Sequence, residues 1–204
     1  MSAFLGPIHY WLYNKIQIQH AIVDDIITLG ARYGLSLKEK CDSKYGGFEN
    51  KPLEEMINHN NIHGWLQEKV SQVEYKYAYS VKALLDADSS LLPHIEDILT
   101  SHGKELGRNI KDTCNTSPLM YQAISDNLLD GMPCDHANSL LEKDNDRVVW
   151  KRNVCVHGDY WDEVGADISL YYKLREAWIQ GLVMECGFTY QNIDSVTYSI
   201  EKAA

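Results

Sequence analysis

From Pro7 to Tyr33 apolar side chains return every three or four residues, at Ile8, Trp11, Leu12, Ile16, Ile22, Val23, Ile26, Ile27 and Ala31. The same spacing recurs at Leu66, Val70, Val73, Tyr77, Val81 and Leu84. An α-helix turns once in about 3.6 residues, so each run gathers its apolar groups on one face, and that face must be covered. Long amphipathic helices that follow one another cover each other by bundling. This feature constrains the fold most.

Punctuation residues set the limits of these runs. Pro7 suits the first turn of a helix, where its missing N–H costs nothing, and Gly34 suits the stop. Residues 35–51, with Gly46-Gly47, read as a loop, and Pro52 opens a short helix with Glu54 and Glu55 in its first turn. Val73, Tyr75, Tyr77, Tyr79 and Val81 also alternate as a strand would, but helical flanks and the lack of turn signals decide for helix. A third helix is expected from Leu91 to Ile110, weakened near its end by Gly103 and Gly107. A fourth begins at Ser117-Pro118, as cap and first turn, and runs to Leu129, with Gly131 as its stop.

Patterning changes after Gly131. Pro133 to Lys143 reads as a short helix capped by Asp135, and Asp144-Asn145-Asp146 as a turn. Arg147 to His157 has the β-branched and aromatic density of a strand. Residues 158–165 read as a loop, 167–185 as a helix with Tyr171, Leu174, Trp178 and Leu182 on its stripe, and Phe188 to Ile200 as a strand. The expected fold is therefore mainly α with a small β element. A four-helix, bundle-like part spans residues 1–130, and a strand–helix–strand unit spans 131–204. At 204 residues and about 150 per domain, both belong to one domain.

Charge bears on partners. Lys and Arg number 19 against 29 Asp and Glu, a formal net charge of −10. Nucleic-acid and anionic-membrane binding draw on clustered cations. The densest basic stretch, Arg147, Lys151 and Arg152, follows Asp144 and Asp146, so neither partner is expected. No window approaches the roughly 20 apolar residues of a membrane span, and Met1 to Gln19 has no basic n-region. Five cysteines at irregular spacing predict free thiols and a cytoplasmic setting.

Two Cys-x-His units stand out: Cys134-Asp135-His136 after the fourth helix, and Cys155-Val156-His157 at the strand end. Thiolates and imidazoles suit zinc or iron. Cys155 and His157, two apart, would share one face of a strand. The metal ligands expected on this basis are Cys134, His136, Cys155 and His157, with Asp135 and Asp159 as catalytic carboxylates. Tyr160 and Trp161 would wall the site from water. A Cys155–His136 nucleophile pair is a further option.

In the helices, His9, Tyr13, His20 and Asp24 share a stripe, and His59 and His63 are four apart, with Glu74 and His94 beyond them. The Glu-x-x-His repeat of di-iron bundles is absent, as are glycine-rich phosphate loops, GxSxG and HExxH.

Two functions follow as expectations. One is a cytoplasmic metal-binding protein, an enzyme on a small molecule if it is an enzyme, with its site between the 131–136 loop and the 155–159 strand end. The other is a non-catalytic helical module that binds a small ligand or a protein partner through aromatic surfaces, as a homodimer.

Overall fold

The computed structural model describes residues 4–49 and 51–203. Its helices are α1 (Pro7–Arg32), α2 (Leu37–Tyr45), α3 (Leu53–Met56), α4 (Ile62–Ala87), α5 (Leu92–Ile110), α6 (Ser117–Asn127), α7 (Gly158–Glu163) and α8 (Ile168–Glu185). The strands are β1 (Asn138–Lys143), β2 (Arg147–Arg152), β3 (Phe188–Asn192) and β4 (Thr197–Lys202). The fold is mainly α with a small antiparallel sheet. Among the described residues, no helix is long and apolar enough to cross a membrane.

The two long stripes form the centre of the molecule. Leu12, Ile16, Val23 and Ile26 of α1 and Leu66, Val73, Tyr77, Val81 and Leu84 of α4 are all buried in one cluster. The tyrosine run is helical, as its flanks indicated. Asn61 caps α4 by accepting the Gly64 N–H, and Asp167 caps α8 by accepting the Ser169 N–H at 2.7 Å. Thr116, one residue earlier than expected, caps α6.

Gly103 and Gly107 have another role than weakening a helix end. They lie where α5 presses on α8. A Cβ on Gly103 would sit 2.9 Å from the Leu182 nitrogen, and one on Gly107 2.8 Å from the Leu182 oxygen. Gly181 of α8 makes the reciprocal approach to the Thr100 backbone. Small residues on both helices allow their backbones to pack closely.

The C-terminal part departs from strand–helix–strand. The sheet order is β1-β2-β4-β3, with every neighbouring pair antiparallel. Two hairpins thus flank the connection through α7 and α8, and a four-stranded sheet replaces the marginal two-stranded element that the sequence suggests. The region read as a short helix, 133–143, holds only a 3-10 turn at Pro133–Asp135 before β1 begins. The Asp144 carboxylate accepts the Asp146 and Arg147 N–H groups and turns the chain into β2. The expected strand 188–200 is a hairpin, because Asp194 accepts from Val196 and Thr197 and Ser195 takes a positive φ of 67°. Residues 37–45, read as loop, form α2, anchored by buried Leu37 and Cys41. Strand β2 stops at Arg152, so Cys155 and His157 lie in the connection to α7 and not on a strand face.

Candidate functional site

Four ionisable side chains from four parts of the chain meet in the interior. Helix α4 contributes Glu74, the connection after α6 contributes Asp130, the start of α7 contributes His157, and α8 contributes Arg175. His157 Nδ1 lies 3.1 Å from Glu74 Oε1, and Nε2 lies 3.5 Å from Asp130 Oδ1. Arg175 grips Asp130 with both terminal nitrogens, at 2.7 and 2.9 Å, and the Asn138 amide donates to the same carboxylate at 3.1 Å. This fork geometry is the strong form of an ion pair. One helical turn before Arg175, Tyr171 lays its ring against the His157 imidazole, with centroids 3.9 Å apart and planes 25° apart.

The charge states follow from these contacts. Burial works against a charged imidazole at His157, but the charge of Glu74 and the contacts with Asp130 push its pKa up to about 9. Both ring nitrogens of the imidazolium therefore face carboxylates. Burial also opposes ionisation of Asp130, yet the Arg175 guanidinium and His157 hold it well below the usual carboxylate range. Two carboxylates, one imidazolium and one guanidinium leave the tetrad formally neutral.

Asp130 and Arg175 also wall a cavity of about 200 Å³, together with Lys15 and Trp11 of α1, Tyr121 of α6 and Trp150 of β2. Met132, Pro133 and His136 form its rim. Lys15 is only 4% exposed, yet among the described residues no carboxylate lies within 4 Å of its Nζ. Its ammonium rests 3.5 Å from the centroid of the Trp11 ring. That ring is held in place by its own N–H, which donates to Asp126 at 2.9 Å. Burial brings the Lys15 pKa down to about 8; Asp130 and Asp126 push it up and Arg175 pushes it down. Arg175 is thus taken up by Asp130, while the Lys15 ammonium, with Asp130 and Asp126 acting on it only from beyond contact distance, faces the cavity.

The structure brings together the two segments that the sequence singles out, but not all of their side chains. Ala137 accepts the Asn153 N–H at 2.8 Å, His136 accepts the Asn153 amide at 3.3 Å, and Gly131 abuts Val156. Of the expected ligands, His157 is engaged in the tetrad and His136, in the left-handed region at φ 48°, lines the cavity rim. Cys134 lines a separate, mostly apolar cavity with His9 and His63. Cys155 is exposed and accepts the Tyr172 hydroxyl at 3.2 Å. Burial opposes its thiolate, but Tyr172 and the His157 and Gly158 N–H groups hold its pKa below the ordinary value. All five cysteines are free. Asp135 accepts the Met132 N–H and shapes the turn, while Asp159 is exposed on α7. Tyr160 shares a hydrogen bond with Ser71 at 3.1 Å, and Trp161 is fully buried against Tyr77 and Tyr171, a core residue with no face toward the cavity. Among the described residues, no group of three or more His, Cys, Asp or Glu is placed to hold a metal ion. The expectation of zinc or iron thus finds no support in this geometry.

The sequence reading passed over Lys15, Asp130 and Arg175. A signal was present: Lys15 and Arg175 each sit inside an apolar stripe, beside Ile16 and Leu174. Comparison with protein-family models, with curated proteins and with solved structures gives no match.

Proposed function

We propose that the protein binds a small, flat organic monoanion in the cavity between α1, α6, the 131–137 loop and β2. The observation that carries this reading is Lys15. An ammonium removed from water without an anionic partner is costly, and a bound carboxylate would supply that partner. The other cation at the cavity, Arg175, is already spent on Asp130, so Lys15 is the cation left to meet one negative charge. Trp11, Tyr121 and Trp150 offer ring faces to the rest of the ligand. At about 200 Å³ the cavity lies below the range of drug-sized sites, which selects a small molecule.

Calorimetric titration of the whole chain with benzoate, acetate and their neutral amides tests this reading. The carboxylates should bind more tightly than the amides, and Lys15→Met should weaken carboxylate binding at least tenfold. That variant should fold at least as stably as the parent, since it removes a buried charge with no partner. Equal binding of acid and amide, or unchanged binding by K15M, would overturn the proposal.

A further inference from the structure

Resting on that reading, we infer that Lys15 is also a nucleophile, and that the ligand class is a small 2-oxo acid whose carbonyl carbon condenses with the Lys15 amine to form an imine. Three observations converge. First, Lys15 is the one lysine that lines the cavity, its side chain is almost wholly buried, and among the described residues no carboxylate lies within 4 Å of Nζ to hold it as an ammonium. Burial is what frees this amine near neutral pH, against the opposing charges of Asp130 and Asp126 and with a smaller contribution from Arg175.

Second, Tyr121 lines the same cavity, and burial together with Asp130 keeps its phenol protonated, so it brings a hydroxyl that can donate and accept hydrogen bonds there. Third, the Lys15 cation suits a substrate whose carboxylate and carbonyl are adjacent. The carboxylate is drawn to the nitrogen, and that same nitrogen attacks the neighbouring carbon.

The step balances without any oxidant or reductant. The ammonium gives up one proton to solvent water, the amine forms the C–N bond as the carbonyl π bond opens, and a proton passes from that nitrogen to the oxygen to give a carbinolamine. The C–O bond then breaks as the hydroxyl takes a proton back from solvent water, with the Tyr121 hydroxyl on the same cavity wall available as a relay, and water leaves. One ammonium and one carbonyl become one protonated imine and one water. The positive charge stays on nitrogen, still paired with the substrate carboxylate.

The test uses the unmodified full chain with pyruvate and cyanoborohydride, which fixes an imine as a stable amine, followed by peptide mapping. At pH 7 an amine with a pKa of about 8 is neutral in about one molecule in ten, against about one in three thousand for an ordinary lysine. Restricted access to the cavity reduces that advantage. We therefore expect labelling at Lys15 at least tenfold faster than at exposed Lys38 and Lys173. Hydroxyacetone meets the same amine but lacks the carboxylate, so it should label Lys15 more slowly than pyruvate does.

If calorimetry shows pyruvate binding while Lys15 is labelled no faster than the exposed lysines, the imine is overturned and the anion-binding reading stands. If hydroxyacetone labels Lys15 as fast as pyruvate does, the carboxylate has no part in recognition, and the 2-oxo acid assignment and the anion-binding reading fall together.

Discussion

Replacing Asp130 with Asn keeps the shape of the tetrad and removes one of its two negative charges. The Arg175 side chain, 11% exposed, then faces a neutral amide, and His157 keeps only Glu74. Removing one partner of a buried ion pair costs about 3–5 kcal/mol, because the other charge stays buried and uncompensated. The Asp130 side chain is itself one-fifth exposed, so the lower end of that range, about 3 kcal/mol, applies. For a domain of this size, 1 kcal/mol corresponds to roughly 2–4 °C, which puts the expected fall in Tm at about 6–12 °C. Urea unfolding of D130N, R175M and the double variant at pH 7 measures the pair directly. The double variant should recover at least about 1 kcal/mol relative to the sum of the single losses, since it leaves no orphan guanidinium. A loss below about 1 kcal/mol for D130N, the range of exposed pairs, would refute the view of the tetrad as a buried unit, as would strict additivity.

Other outcomes follow from the same structure. Because the His157 pKa is about 9 when folded and 6.5 in the free side chain, its contribution is complete below pH 6.5 and is lost as pH rises through 9. It is on the order of 3 kcal/mol, and unfolding free energies at pH 6 and 9.5 should show a decline that His157→Gln flattens. Lys15, which faces Asp126, Asp130, Arg175 and Tyr121, titrates with the opposite sign: its folded pKa is lowered, so stability should rise between about pH 8 and 10.5, and K15M should abolish that rise. Gly103→Ala should lower the melting temperature. Alanine favours a helix by about 1 kcal/mol, but its Cβ would press on the Trp178 carbonyl and the Leu182 nitrogen; a higher melting temperature would contradict the close approach of α5 and α8.

The long helices were legible because their signals are local, whereas the short α2 and α7 fall in stretches that read as loops. A stripe such as Leu66, Val70, Val73, Tyr77 specifies a face regardless of what covers it, and Pro at a first turn, as at Pro7 and Pro118, acts within its own helix. The small sheet was less legible because its strands are short and their pairing is distant. Asn138–Lys143 has no alternation of its own; its register comes from β2 and includes a bulge between Leu140 and Glu142. The turn at Ser195 needs a positive φ at a residue other than glycine, and side-chain acceptors at Asn192 and Asp194 make it viable. Gly103 and Gly107 read locally as weak helix formers, whereas their role depends on a helix about eighty residues further along.

The candidate site inverts that balance. Every contact in the tetrad crosses a long stretch of chain: 83 residues separate Glu74 from His157, and 45 separate Asp130 from Arg175. In a helical sequence a lone Glu, Lys or Arg reads as part of the solvated face, because most such charges remain in water. What buries Lys15 is the meeting of α1 with α6 and β2, which places Trp11, Tyr121 and Trp150 around it. The Cys-x-His units drew attention because potential ligands lie close together in sequence, but closeness along a chain does not determine direction. Cys134 turns toward His9 and His63, while His157 turns inward to two carboxylates. Burial raises the cost of every unmatched charge, so where Glu74, Asp130, His157 and Arg175 contact one another and Lys15 beside them contacts no carboxylate, the informative feature is one that no local motif could hold. Lys15 is the cation that no carboxylate contacts among the described residues, and the proposed binding of an anion there rests on it.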